Sequence, residues 1–415
     1  MNWREKKIYF IGIKGTGISG LAVLFQGEGA TVSGSDTAEE FPSEAALKKA
    51  GIEIRLFDEK NITLGLNLII YSSAYPAGHP ERKKAAELGI PELSYAEALA
   101  EYARGKKTIV VTGTHGKTTT TALLGVVFET AGLDPAVLAG DIVKNWGSSV
   151  RTGRGEYFIV EGDEYQEKFR LFKPDGIVIP ALDWDHPDYF PTREAYLKSF
   201  EDWFSKNPRA KLVRSWEKED EKIFQKAKFV LPGRKYRENC LLAIRLCRLF
   251  GISEEKIVSG INNFKGVGRR LDYYTPEDDK IVIVYDYAHH PEEIKATLAA
   301  LKEKHPGRAL IAIFQPHTYS RTEAFLKDFA KSFSDAQAVF FEKIYASARE
   351  QTQKISSEDL IRETRKFHKK VFSFEDFSLE KLSANSLLVF MGAGDIWQKA
   401  RKLASLLGGK ERNPD

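Results

Sequence analysis

Apolar runs of about four to eight residues recur along the chain, and between them apolar positions return every third or fourth residue. The first pattern reads as buried strands and the second as amphipathic helices. Their alternation predicts parallel sheets joined by crossover helices. Strands are expected at Ile8–Gly12, Ala30–Ser33, Leu68–Tyr71, Ile109–Val111, Tyr157–Val160, Gly176–Pro180, Ile281–Tyr285, Ala309–Phe314, Ala338–Phe341 and Leu387–Met391. No solenoid repeat or low-complexity tract interrupts this order. A polar stretch, Glu101-Tyr-Ala-Arg-Gly-Lys-Lys107, and a glycine-bearing hinge, Asn263-Phe-Lys-Gly-Val-Gly268, divide the pattern into residues 1–104, 105–266 and 267–415. Because 415 residues exceed what one hydrophobic core sustains, three α/β domains in series are the expected architecture.

Composition narrows the functions available. Lys plus Arg (62) nearly balances Asp plus Glu (58), and a net charge of +4 on so large a surface argues against nucleic acid as a partner. The two cysteines, Cys240 and Cys247, are spaced to share one helix face as core residues, so no disulfide framework is expected and a reducing compartment is the default. Met1–Lys7 leads into a strand without the apolar segment of a signal peptide, and no apolar run reaches membrane-spanning length. The expectation is a cytoplasmic protein with no membrane insertion, a monomer or weak homodimer.

The most informative segment joins the apolar run Ile109–Val111 to Gly113-Thr-His-Gly-Lys-Thr118 and then to a helix-forming stretch. Glycines let backbone N–H groups converge on phosphate oxygens, the helix start adds positive partial charge, Lys117 supplies a cation, and Thr118 offers a hydroxyl to phosphate-bound Mg2+. Gly113, Thr114, His115, Gly116, Lys117, Thr118 and Thr119 are therefore the expected nucleotide-binding residues, with ATP and Mg2+ as ligands. The loop is two residues shorter than the usual GxxxxGK[ST] spacing, so its flanking strand and helix carry the assignment. A second glycine turn, Gly15-x-Gly17-x-x-Gly20, follows the first strand, with Asp36 at the end of the next, where a ribose-binding acid would sit. Such a turn holds any diphosphate, so NAD and a UDP-sugar fit it equally. The three domains thus read as a Rossmann-like N-terminal domain, a P-loop central domain with a mainly parallel sheet, and a Rossmann-like C-terminal domain.

Of eight histidines, His115 lies in the phosphate loop, and His186, His289, His290 and His317 lie at strand-to-loop junctions, where open α/β sheets bind ligands. Glu161-Gly-Asp-Glu164 and Asp183-Trp-Asp-His-Pro-Asp188 each follow a strand and are expected at the carboxyl edge of the sheet that bears the phosphate loop. Magnesium takes oxygen ligands and keeps several waters, so Glu161 beside Thr118 is the first choice of ligand. On chemistry alone His186 is either a structural, water-orienting residue or a metal ligand.

These motifs, together with Asp185-His186-x-Asp188, Gly268-Arg-Arg270 and Asp286-Tyr-Ala-His-His-Pro291, occur in the order found in the Mur ligases, and the chain resembles that family along its whole length. The family comprises ATP-dependent amide-bond formers of peptidoglycan synthesis. Gly12-x-x-Gly-x-Gly17, Ser33-Gly-Ser-Asp36, Tyr71-Ser-Ser-Ala74, Gln315-Pro-His-Thr-Tyr-Ser-Arg321 and Gly392-Ala-Gly-Asp395 look most like the alanine-adding branch, whose substrates are UDP-N-acetylmuramate and L-alanine. The branch that attaches a recycled tripeptide to the same acceptor is similar, and Glu161-Gly-Asp-Glu-Tyr165 suits it too. The resemblance implies an acyl-phosphate mechanism with Lys117, Glu161, His186, Arg270, Asp286 and His289 in catalytic roles. It further implies metal binding by Thr118, Glu161 and His186, with Asn239, Arg270 and Asp286 on the nucleotide. Gly15, Thr16, Gly17, Asp36, Ser72, Ser73, His290, His317 and Arg321 would serve the other substrates, Arg321 facing the amino acid's carboxylate. For His289, His290, His317 and Arg321, capping or satisfying a loop is the competing role.

The chain departs from the branch where Gly-x-His-Asn is usual. Here Gly233-Arg-Lys-Tyr-Arg-Glu-Asn239 keeps only the later asparagine, which alters expected adenine recognition. The stretch between Trp203 and Leu231 is shorter than in that family. Tyr196-Leu-Lys-Ser-Phe200 carries phenylalanine near the position of the carbamylated lysine of later-acting relatives, so no modified lysine is expected. Two other classes compete. A nicotinamide oxidoreductase explains the first glycine turn but leaves the phosphate loop idle, and a nucleotide-switched binding protein explains the loop without amide formation.

Overall fold

The computed structural model describes residues 3–41, 43–275, 280–346, 354–383, 385–408 and 410–412. Met1 and Asn2, which open the expected lead-in to the first strand, lie outside the described residues. Two compact units form. One contains Met1–Ala181, Phe200–Lys228 and Cys240–Phe264, the other Leu182–Ser199, Phe229–Asn239 and Lys265–Asp415. The first unit holds two sheets and the second holds one, so the three α/β sheets expected from the alternating pattern are present.

The first sheet consists of β1 (Lys7–Ile11), β2 (Thr31–Asp36), β3 (Glu53–Leu56), β4 (Leu68–Tyr71) and β5 (Glu92–Ser94), all parallel in the order β3-β2-β1-β4-β5. The winding reverses between β1 and β4, the point at whose carboxyl ends open α/β sheets bind ligands. The glycine turn leaves β1 there and Ser72 leaves β4, with the Ser72 N–H donating to the Ile11 carbonyl at 3.0 Å. Gly12 has φ +77, and a Cβ on it would lie 2.3 Å from the Tyr75 ring, so only glycine fits. The following helix, Thr16–Gly27, has a second partner besides its own sheet. A Cβ on Gly20 would lie 2.4 Å from Leu138 Cδ1 and one on Gly27 would lie 2.7 Å from Thr152 Cγ2. Small residues thus let this helix rest directly on the central sheet of the same unit.

That central sheet contains β6 (Lys107–Thr112), β7 (Ala136–Val143), β8 (Ser148–Arg151), β9 (Tyr157–Gly162), β10 (Gly176–Val178) and β11 (Lys211–Val213) in the order β11-β10-β6-β9-β7-β8. All neighbours are parallel except the β7–β8 pair. Buried on both faces, β6 and β9 read as continuous apolar runs, Ile109–Val111 and Phe158–Val160. Between the helix Arg193–Lys206 and Leu231 the chain carries only β11 and the helix Lys218–Lys226. Cys240 and Cys247 are free thiols buried along the helix Arg234–Leu249, as their spacing required.

The third sheet, in the second unit, contains β12 (Asp272–Thr275), β13 (Ile281–Asp286), β14 (Ala309–Phe314), β15 (Ala338–Phe341), β16 (Val371–Ser373), β17 (Ser386–Met391) and β18 (Lys410–Arg412), ordered β16-β15-β14-β17-β13-β12-β18. Antiparallel pairing is confined to β12 with β13 and β18. Because β17 lies between β13 and β14, the loops after all three strands emerge side by side. The Gly392 N–H reaches the Asp286 carbonyl (3.2 Å), and the Gln315 N–H reaches that of Met391 (2.9 Å). No described helix is long and apolar enough to cross a membrane.

Candidate active site

After β6 the chain turns at Gly113 (φ +120) and Gly116 (φ +81), conformations open to glycine, and the helix Lys117–Thr130 begins. No side chain caps that helix start, which leaves its first-turn N–H groups suited to an anion. The Thr114 N–H is fixed to the carbonyl of Ala181, three residues past β10 (2.9 Å). His115 and Thr118 are half-buried in the turn, and the Thr119 side chain packs inward. Lys117 Nζ donates to the carbonyls of Gly113 (2.6 Å) and Thr114 (3.2 Å) and pairs with Glu164 at 2.9 Å. Burial opposes this charge, but Glu164, Glu161 and Asp163 outweigh it and hold the ammonium above its ordinary pKa.

Glu161 is the last residue but one of β9, next to the loop strand, with Val111 as its register partner. Its Oε1 accepts the Gly140 N–H at 2.5 Å. A Cβ on the exposed Gly140 would lie 2.7 Å from Glu161 Oε2 and 3.0 Å from Thr118 Oγ1. One carboxylate and one hydroxyl therefore converge on a small open space that only glycine leaves vacant. All-oxygen donors and open coordination positions suit Mg2+. Among the described residues, no group of three or more His, Cys, Asp or Glu is arranged to hold a metal ion.

At the first glycine turn, Gly15 and Gly17 are partly exposed and Thr16 is exposed, as are the neighbouring Ser72 and Ser73 to differing degrees. Asp36 faces inward. Its carboxylate, 3% exposed, accepts the Lys14 N–H (2.7 Å), the Thr37 N–H (2.8 Å) and the Tyr75 hydroxyl (3.2 Å). The acid at the ribose-binding spacing thus holds the turn itself. Lys14, buried beside it, ties down the next loop through the carbonyls of Thr37 (2.9 Å) and Glu39 (2.7 Å) and through Glu44 (2.9 Å).

In the second unit Asp286 is fully buried. It accepts the N–H groups of Leu271 (3.0 Å) and Ala288 (2.9 Å) and the hydroxyls of Tyr236 (3.3 Å) and Thr297 (3.4 Å). Burial raises its pKa to about 6, with Arg270 pulling the other way. Arg270 lies 3.5 Å from Glu293 and 3.9 Å from Asp286, and Tyr287 offers its ring face. His289 directs Nδ1 to the Tyr287 carbonyl (3.0 Å), and burial pushes its pKa down to about 3, so the ring is neutral. His290 caps the helix Pro291–Lys304, with Glu293 completing the capping box. Asn239 is buried one turn beyond Tyr236.

The Asp183–Asp188 segment continues from the carboxyl end of β10 and groups with the second unit, where Trp184 meets Phe325 and Asp185 meets Arg321. Arg321 gives Nε and Nη2 to the two Asp185 oxygens at 3.2 and 3.1 Å, and its Nη1 reaches His317 Nδ1 at 3.4 Å. Burial works against the Asp185 charge, but Arg321, His186 and His290 override it and keep the carboxyl well below its usual range. His186 takes φ +56, unusual for a non-glycine residue, and its N–H donates to Asp185 (2.7 Å). The Gln315–Arg321 and Gly392–Asp395 motifs also meet, since Gln315 bridges Asp395 (2.7 Å) and the Ile396 N–H (3.1 Å).

Sequence reasoning overlooked Gly140, Lys14, Tyr75, Tyr236 and Glu293. Only Glu293 left a signal, standing three residues after a helix-capping position filled by an uncommon cap, histidine.

Family descriptions match in chain order. Residues 7–107 match "Mur ligase family, catalytic domain", 111–229 "Mur ligase middle domain", and 269–394 "Mur ligase, glutamate ligase domain". UDP-N-acetylmuramate–L-alanine ligase of Caldanaerobacter subterraneus subsp. tengcongensis is 35% identical, covering 96% of this chain and 97% of the relative. The protein of the same name from Desulfitobacterium hafniense is 32% identical over 95% of this chain and 99% of its own. The crystal structure of UDP-N-acetylmuramate-alanine ligase from Thermotoga maritima shares the fold with a TM-score of 0.77, at 24% identity and coverage of 96% of this chain and 98% of that one.

Proposed function

Since the chain belongs to the Mur ligase family, we propose that it joins L-alanine to UDP-N-acetylmuramate at the expense of ATP. The observation that carries this reading is the convergence of Glu161 and Thr118 on the open space over Gly140, beside a glycine loop with an uncapped helix N-terminus.

In this reading the loop amides and Lys117 take the ATP phosphates. As phosphate oxygens arrive, Lys117 exchanges part of its contact with Glu164 for them. Thr118 and Glu161 would hold Mg2+, with His186 assisting a second ion, and the metal supplies neutralisation of phosphate charge. The first glycine turn holds the diphosphate of the UDP-sugar, and Asp36 acts through the turn it braces. The acceptor's carboxylate oxygen bonds to the γ-phosphorus as ADP leaves, giving an acyl phosphate. The amine then attacks the acyl carbon, loses a proton, and phosphate departs as the amide forms. Phosphoryl transfer asks little covalent chemistry of the protein, so positioning and charge carry the rate. Arg270 supplies charge to the phosphates, and Asp286 and Glu293 hold it in place. The neutral His289 ring and His317 stand on the amino-acid side, and Arg321 receives the amino acid's carboxylate.

The test is a purified assay with ATP, magnesium and UDP-N-acetylmuramate, offering single amino acids and a tripeptide separately and identifying products by mass. Phosphate release should require both acceptor and amine, with alanine the preferred amine. Release at one rate with or without them would leave a nucleotide-driven binding protein as the better description. A tripeptide product in place of the alanine one would move the chain to the recycling branch.

A further inference from the structure

The donor inventory of Arg321 exposes a residue whose part in the reaction has not been assigned. A guanidinium carries five N–H donors. In this structure Nε–H and one N–H of Nη2 go to Asp185, and one N–H of Nη1 reaches His317. One N–H on each terminal nitrogen has no partner among the described residues, the number a second carboxylate needs for a two-point grip. We propose that Asp185 is a positioning residue, which fixes the Arg321 fork so that its two remaining donors receive the carboxylate of the incoming amino acid. This rests on the reading that Arg321 is the carboxylate receptor.

Three features support positioning over simple pairing. The Asp185–Arg321 contact is bidentate through the side-on edge, so it sets the plane of the fork as well as the place of the charge. Both partners are buried, Arg321 to 8% exposure, and a long side chain so confined keeps little rotamer freedom to lose when substrate binds. Each is also presented by backbone in an uncommon conformation, His186 (φ +56) directly after Asp185 and Thr318 (φ +66) at the start of the helix Tyr319–Ala324. Such geometry persists where the surrounding fold dictates it. The Thr318 N–H is in turn bonded to the Tyr345 carbonyl (2.9 Å), and Tyr345 stacks on His317 with ring centres 5.7 Å apart. A fork left unheld must be ordered by the substrate itself.

The experiment compares alanine with alaninamide, which lacks the carboxylate, in wild type and in D185N. Wild type should prefer alanine strongly in kcat/KM. D185N should raise the alanine KM about three- to tenfold, the usual cost of immobilising one long side chain at a binding site. It should narrow the alanine-to-alaninamide preference by the same factor while the KM values for ATP and the UDP-sugar hold. D185E keeps the charge but displaces the fork, and it reads the same preference should D185N fail to fold. If wild type does not distinguish the two amines, Arg321 is not the carboxylate receptor and the underlying reading falls. If wild type distinguishes them and the folded variants do so equally well, Asp185 has no positioning role. A lower alanine KM in D185N would make Asp185 a competitor of substrate, and a parallel rise in all three KM values would make the pair merely structural. Either outcome overturns the proposal.

Discussion

Replacing Gly140 by alanine separates the metal site from the fold more cleanly than removing a ligand does. The φ of Gly140 is not in the left-handed region, so alanine is free to adopt the backbone, and the smaller unfolded-state entropy favours the variant by about 0.4–1 kcal/mol. Against that, the new methyl would stand 2.7 Å from Glu161 Oε2 and 3.0 Å from Thr118 Oγ1. The nearest atom is the end of a flexible side chain, so Glu161 turns aside, and net stability should stay within about 1 kcal/mol of wild type. The space where the two oxygens converge is then occupied by carbon. A magnesium ion needs oxygens at about 2.0–2.1 Å, and a methyl group there excludes it. Loss of one preorganised electrostatic stabiliser typically costs about 10²–10³ in kcat. The assay is acceptor- and alanine-dependent phosphate release across a magnesium titration, beside a thermal melt. A well-folded G140A protein that turns over within about threefold of wild type at ordinary magnesium would refute the assignment of Glu161 and Thr118 to the metal.

Three further outcomes are expected. K117A should lose turnover by at least about 10³-fold and, because the buried Glu164 loses its Lys117 ion pair, should lose about 1–3 kcal/mol in urea unfolding; retained activity would show that the loop does not bind the triphosphate. D36N removes one strong acceptor from the Lys14 and Thr37 N–H groups and should raise the UDP-sugar KM about tenfold with the ATP KM unchanged, while calorimetry finds no NAD binding to either protein. His289 is held to about 3 in the fold, against about 6.5 when unfolded, so between those values the unfolded chain binds the extra proton. Stability therefore falls as pH drops through that window and is unaffected above it. On going from pH 7.5 to pH 5, wild type should lose about 1–2 kcal/mol more than H289N, and equal losses would mean the ring is not held neutral.

Much of the fold was legible because both periodicities are strong. Ile281–Tyr285, Ala309–Phe314 and Ala338–Phe341 are strands where the apolar runs predicted them. Short or polar strands such as Glu53–Leu56, Glu92–Ser94 and Lys410–Arg412 carry no such run and escaped notice. At the site, chemistry fixed by local spacing was readable. The glycine loop, Lys117 and the uncapped helix are local features, and Glu161 lies in the last two residues of the strand that its apolar run announces. Side-chain direction was not readable. Asp36 and Asp286 stand at the predicted strand ends, yet both turn inward to bind backbone N–H groups. Nor does sequence show that Gly140 borders Glu161, 21 positions away, or that Asp185 meets Arg321, 136 positions away, since tertiary packing alone creates those contacts.

The double-sided packing of the helix Thr16–Gly27 bears on module exchange among relatives. A recombinant hybrid that borrows residues before Lys107 from one parent and the following strands from another would confront Gly20 and Gly27 with foreign side chains at Leu138 and Thr152. Workable crossover points are those that transfer Gly20, Gly27, Leu138 and Thr152 as one inherited block, which makes the 7–152 stretch the smallest portable piece of this architecture.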